Sequence, residues 1–140
     1  MSAKARTDLL TTTEMYNLDL ACRLISRAFD GGPPYLVGTA ADGEAQAYRD
    51  VDVRLMLSDE EFATVCPTQA RWELLCLAIS AYLRERTGLP VDFQIQRARE
   101  ANERYSGKVR NPVGMGRTFA GGGDGTPDWA TWIPTAITQL

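Results

Sequence analysis

Asp50-Val51-Asp52-Val53-Arg54-Leu55 alternates polar and apolar residues for six positions, and Met56-Leu57 follows. A period of two is the period of a strand with one buried face. Residues 50–57 therefore read as a strand with the valines turned inward. Asp suits strands poorly, so two of them close together ask for a reason. Two positions apart on a strand, their carboxylates project from the same face. Their Cα atoms then lie about 6.6 Å apart, at ~3.3 Å per residue. Two ionised carboxylates so placed repel each other, and a divalent cation offsets that repulsion. Carboxylate and water oxygens suit Mg²⁺ or Mn²⁺. The competing reading is the solvated polar face of an edge strand.

Upstream, Tyr35-Leu36-Val37 is short, apolar and partly β-branched. It reads as a buried strand that ends at Gly38-Thr39. Gly permits close backbone approach to a phosphate, and a hydroxyl beside free N–H groups binds its oxygens. Downstream, Val91-Asp92-Phe93-Gln94-Ile95 alternates again, with Val91, Phe93 and Ile95 on one face. If this strand lies beside the Asp50–Asp52 strand, three carboxylates meet. That number suits two-metal phosphoryl chemistry better than a single cation.

Helical patterns fill the rest. Thr11-x-x-Glu14 is a capping box, and Met15, Leu18, Cys22, Ile25 and Phe29 follow as one apolar stripe. Asp30-Gly31-Gly32-Pro33-Pro34 stops that helix. Ser58-x-x-Glu61 is a second capping box, and the acids Asp59-Glu60-Glu61 suit the positive end of a helix dipole. Residues 68–86 form the longest helix, with Trp72, Leu75, Cys76, Ile79, Tyr82 and Leu83 as its core face, closed by Gly88 and Pro90. Tyr35 is also read as core. Residues 97–104 are charged and allow one or two helical turns. The order is helix, strand, strand, helix, strand and a loop-rich tail. This predicts an α/β (α+β) fold, a small mixed sheet with helices packed on it. Residues 1–105 form the domain, and 106–140 are a Gly-rich extension that packs on the domain or on a partner.

Composition narrows the chemistry. The chain has 140 residues, long enough to bury a core as one domain. It has no histidine, which removes Ser-His-Asp triads, Cys-His dyads and H-E-x-x-H zinc sites. Its net charge of −3 gives no global basic field for nucleic acid. Cys22, Cys66 and Cys76 form no C-x-x-C pair and read as reduced thiols, Cys22 and Cys76 as small apolar residues on helices. The basic start, MSAKARTDLLTTTE, leads into no apolar signal region, and no run approaches the ~18 residues that span a bilayer. The expected location is cytoplasmic, with no membrane partner.

The pattern Val37-Gly38-Thr39, ten residues, Asp50-Val51-Asp52-Val53, then Val91-Asp92-Phe93 resembles the DNA polymerase β-like nucleotidyltransferases, in a minimal stand-alone form. Those proteins carry Gly followed by Gly or Ser, a similar spacer, an Asp-apolar-Asp/Glu-apolar strand and a third flanked carboxylate. The likeness spans roughly residues 34–96, and the helix at 15–29 sits where the family places one. It implies that Gly38 and Thr39 hold a nucleotide triphosphate. It implies that Asp50, Asp52 and Asp92 are catalytic and hold Mg²⁺ or Mn²⁺, with Asp92 also activating the acceptor hydroxyl. Thr39 departs from the usual Ser, and the 40–49 loop lacks an arginine near Thr39.

Arg54 continues the carboxylate face. It either pairs with Asp52 or a neighbouring acid, or reaches a nucleotide phosphate. Lys108, Arg110 and Arg117 are either solvated or fold over a triphosphate. Trp129 and Trp132 either dock, form a subunit contact that makes a homodimer, or stack a base. Three functions remain. One is transfer of a nucleoside monophosphate from an NTP to a hydroxyl of a protein, RNA end or small molecule. Small size fits self-contained modifiers such as toxin–antitoxin components, by family analogy. Another is an inactive binding or regulatory module on the same fold. The third is a metal-dependent nuclease, disfavoured because Asp92-Phe93-Gln94 lacks the Glu-x-Lys of many nucleases.

Overall fold

A computed structural model describes residues 10–41, 49–104, 106–108 and 110–115. Arg117, Trp129 and Trp132 lie outside the described residues. The capping box at Thr11 forms as its spacing requires. The Thr11 hydroxyl accepts from the Glu14 N–H at 3.1 Å, and the Glu14 carboxylate accepts from the Thr11 N–H at 2.9 Å. Two donors that a helix start leaves open are thereby closed. Helix α1 runs Thr12–Ala28 and buries Met15, Leu18, Cys22 and Ile25.

The strands are β1 Tyr35–Val37, β2 Val51–Leu57, β3 Val91–Arg97 and β4 Asn111–Pro112. They form one mixed sheet in the order β3-β2-β1-β4. Strand β2 is parallel to β3 and antiparallel to β1, which is antiparallel to β4. A parallel pair needs a long crossover. Helices α2, Asp59–Val65, and α3, Gln69–Thr87, supply it, and α4, Ala98–Arg104, follows β3. This is the mixed α/β architecture expected, with four α-helices and a small sheet among the described residues. Strand β4 was not anticipated. Two residues ending in proline carry no alternation to read, and the sheet accepts them at an edge, where a missing N–H is tolerated.

Alternation sorts the faces. Leu36, Val51, Val53, Leu55, Val91, Phe93 and Ile95 are buried in one core with Leu18, Cys22 and Ile25 of α1 and Cys76 and Leu83 of α3. Asp52, Arg54 and Met56, with Asp92, Gln94 and Gln96, point to the other face. That face is not uniformly wet, because Arg54 and Met56 are both buried. The α2 capping box is only half made. The Ser58 hydroxyl accepts from the Glu61 N–H at 3.1 Å, but the Glu61 carboxylate accepts from the Asp30 N–H at 2.7 Å. The loop after α1 has taken the side chain that sequence spacing assigned to the local cap.

Strand β3 lies at an edge of the sheet, with N–H and C=O groups turned away from β2. Helix α3 covers them with every fourth side chain. The Trp72 indole N–H donates to the Ile95 carbonyl at 2.7 Å, and the Cys76 sulfur accepts from the Ile95 N–H at 3.5 Å. The Ser80 hydroxyl accepts from the Phe93 N–H at 2.9 Å and lies 3.3 Å from the Phe93 carbonyl, to which it can donate. Arg84 Nε donates to the Val91 carbonyl at 2.8 Å. Residues four apart lie in one row on a helix, so the row runs along the strand. Polarity alone places Ser80 and Arg84 outward, so sequence does not show their bonds to β3.

A second unforeseen tie holds the chain after β4. Asp19 is fully buried on α1 and accepts from the Gly114 N–H at 2.7 Å and the Met115 N–H at 3.2 Å. Gly114 has φ +80°, and a Cβ there would come within 2.5 Å of the Cys22 carbonyl oxygen. No larger residue fits that approach.

Replacing Ser80 by Ala leaves the buried Phe93 N–H and carbonyl without partners. The expected loss of stability is about 1–3 kcal/mol, read as a lower urea midpoint at unchanged slope. An unchanged midpoint would mean that water satisfies this edge.

Candidate active site

The parallel register of β2 and β3 sets Asp52 directly beside Asp92. Neighbouring strands lie about 4.8 Å apart, so the two carboxylates share one patch of the polar face. Asp50 directly precedes β2 and is exposed. It is close enough for its charge to act on Asp52, as does that of Asp92. The condition that made Asp92 part of a centre, a strand adjacent to β2, is met.

Gly38 completes this corner. It has φ +75°, and β1 places Val37 opposite Asp52. A Cβ at residue 38 would press directly on the Asp52 carboxylate. The sequence reading gave Gly38 a phosphate-facing role, and the structure adds that its bare α-carbon makes room for the Asp52 side chain. Thr39 is exposed and opens a short 3-10 turn, Thr39–Ala41, closed by Ala41 N–H on the Gly38 carbonyl at 3.1 Å.

Arg54 lies across the acids. Its Nη2 is 3.3 Å from Asp92 Oδ2 and 3.7 Å from Asp52 Oδ1. Its Nη1 donates to the main-chain carbonyls of Asp92 at 2.6 Å and Val53 at 3.1 Å. Of the two roles open to Arg54 from sequence, pairing with neighbouring acids is the one in place. Its Nε is buried without a partner.

Burial raises the Asp52 carboxyl above the usual aspartate range; Arg54 opposes that rise, while Asp92 and Asp50 add to it. One guanidinium among three acids leaves the corner short of positive charge. A hard divalent cation fits that deficit. Among the described residues no three His, Cys, Asp or Glu side chains are grouped as a ready cage. Mg²⁺ does not need one, since one or two carboxylates, water and substrate phosphates usually complete its shell. The donor set of Asp52 and Asp92, with Asp50 at the strand entrance, therefore fits Mg²⁺ or Mn²⁺.

The basic residues of the extension divide. Arg110 Nη1 donates to Asn102 Oδ1 at 2.9 Å and lies 3.6 Å from the Met56 sulfur, so it ties α4 to the polar face. Lys108 is exposed. The cysteines are free and buried, and burial pushes all three thiols upward. They are poor thiolate ligands or nucleophiles. An open cleft of about 430 Å³ lies at the other end of β2, lined by Asp30, Gly31, Ser58, Glu60, Glu61 and Thr64. Its acidic lining suits no phosphate, and it contains none of the site residues.

Comparisons with protein-family models, curated proteins and solved structures return no match. No helix among the described residues is long and apolar enough to cross a membrane.

Asp52 gives a pH-dependent test. Its folded-state pKa is raised, so its favourable contribution is full below the ordinary aspartate pKa and is lost as pH rises through the raised value. Above the raised value, the buried charge costs the fold stability. Asp52→Asn should raise the melting temperature at pH 7 in chelator-containing buffer, and the gain should shrink in acid. A variant equally or less stable at pH 7 would show that the Arg54 pairing outweighs burial.

Proposed function

We propose that this protein is a metal-dependent nucleotidyltransferase that moves a nucleoside monophosphate from an NTP to a hydroxyl acceptor. The observation that carries the reading is the side-by-side register of Asp52 and Asp92, with Gly38 packed against Asp52. Asp50, Asp52 and Asp92 would hold Mg²⁺ (or Mn²⁺), which when bound would supply charge neutralisation for the phosphate oxygens and the leaving pyrophosphate. Gly38 and Thr39 receive the triphosphate. Asp92 is the most open of the bridged groups, its side chain 41% exposed. It takes the proton of the acceptor hydroxyl. The acceptor oxygen forms a bond to the α-phosphorus, the bond to the bridging oxygen breaks, and pyrophosphate departs. Arg54 keeps Asp92 oriented through its bond to the Asp92 carbonyl and reaches phosphate when a nucleotide enters. The acceptor is a protein side chain, an RNA end or a small molecule. Three free, buried cysteines suit a cytoplasmic setting.

A second reading has its own support. Arg54 already neutralises part of the Asp52–Asp92 pair, as a non-catalytic binding module on the same fold would require.

Isothermal titration with a non-hydrolysable NTP, with and without Mg²⁺, separates the readings when joined to a pyrophosphate-release assay. The wild type should bind only with the metal and release pyrophosphate. Asp50→Asn or Asp92→Asn should lower release by on the order of 100-fold. Metal-dependent binding with no release under any acceptor favours the module. No binding by the wild type sinks both.

A further inference from the structure

Helix α3 turns its hydrogen-bonding side chains inward. Trp72, Cys76, Ser80 and Arg84 all bond the edge of β3. The opposite side carries Ala70, Leu74, Leu77, Ala78 and Ala81, all exposed, with Leu74 at 67% and Leu77 at 69%. A surface helix normally presents a polar stripe outward, and this one presents its leucines. Helix α1 packs beside it, the Tyr82 hydroxyl donating to the Ala21 carbonyl at 3.2 Å. On α1, Leu20 and Leu24 are exposed too, at 42% and 51%. Single exposed leucines need no explanation, but an apolar row along one helix does.

We propose that the outward face of α3 is a two-fold interface with a second copy of this chain. Ala70, Leu74, Leu77 and Ala81 are spaced four, three and four apart, the spacing of a coiled-coil seam. A two-fold axis midway along the seam runs the two helices antiparallel. It sets Leu74 of each copy on Leu77 of the other, and Ala70 on Ala81. The leucines fill the centre, and the alanines let the helix ends approach. Charge selects this arrangement. Arg71 and Glu85 flank opposite ends of the seam, both exposed, and neither makes an ion pair among the described residues. The antiparallel pairing brings Arg71 of one copy toward Glu85 of the other, twice by symmetry. A parallel pairing would leave Arg71 of one copy and Glu85 of the other fourteen positions apart along the seam, too far to pair. A self-complementary patch of this kind is what an isologous dimer requires.

The proposal is independent of the nucleotidyltransferase reading. Sedimentation equilibrium of the full chain should show a monomer–dimer equilibrium. Leu74→Glu with Leu77→Glu should give a monomer with unchanged circular dichroism, because neither side chain supports the core. Arg71→Glu alone should weaken the dimer about tenfold or more. Arg71→Glu with Glu85→Arg should restore it. A wild type that stays monomeric at all concentrations up to several hundred micromolar (roughly −5 kcal/mol at the upper end) overturns the proposal. So does a dimer that survives the double Leu→Glu variant, or a charge swap that fails to restore association.

Discussion

A parallel strand pair with one free edge carries a row of N–H and C=O groups that must find partners once the pair is buried. Here the free edge of β3 is closed by the side chains of Trp72, Cys76, Ser80 and Arg84. Much else follows from that contact. It fixes the axial position of α3 along β3 as well as its rotation. With α3 fixed, Leu83 and Cys76 reach the core, and Tyr82 reaches the Ala21 carbonyl of α1. With β3 held on one side by α3 and on the other by β2, its register is not free to slip. A slip of one residue would turn Val91, Phe93 and Ile95 to the polar face and Asp92 into the core. The neighbour relation of Asp52 and Asp92 is thus a consequence of core packing on the opposite face.

That coupling explains how the polar face can hold poorly matched charges. Asp52, Arg54 and Asp92 gain little from the core themselves. They are positioned by Val51, Val53, Val91 and Phe93, which are fully or almost fully buried. A strand places alternate residues on opposite faces without choice. Apolar burial on one face therefore imposes carboxylate proximity on the other, whether or not proximity is favourable in itself.

Much of this was legible in the chain. The period of two at 50–57 and 91–95, the capping box at Thr11 and the stop at Gly88 each have a local cause, so each is readable locally. What escaped depended on partners distant in sequence. Ser80 looks like a surface residue until the unpaired edge of β3 is placed beside it. Asp19 looks solvated until Gly114 and Met115 bring their N–H groups to it. Spacing assigns Glu61 to its own helix cap, but the Asp30 N–H, thirty-one positions away, takes it. At the site, the strand placement of Asp52 and Asp92 was readable from alternation, while Asp50 falls just before β2. Pairing of Arg54 with a neighbouring acid was one of two roles open to it from sequence; that it reaches Asp92 is visible only once β3 lies beside β2.

The Arg54 bridge bears on how such a corner can work. Two carboxylates held at neighbouring register positions repel each other, and burial of Asp52 sharpens the cost. A guanidinium lessens that cost, but it brings one charge to three acids and leaves its own Nε buried without a partner. The arrangement is therefore only partly compensated. A fully compensated site would resist any further ion, while an uncompensated one would protonate or unfold. Partial compensation leaves a folded site with a standing deficit of positive charge, while Gly38 keeps the backbone beside Asp52 free of a side chain. Arg54 is attached by main-chain contacts as well as by the carboxylates, so it can yield the carboxylate oxygens to a stronger cation and stay anchored on the Val53 and Asp92 carbonyls.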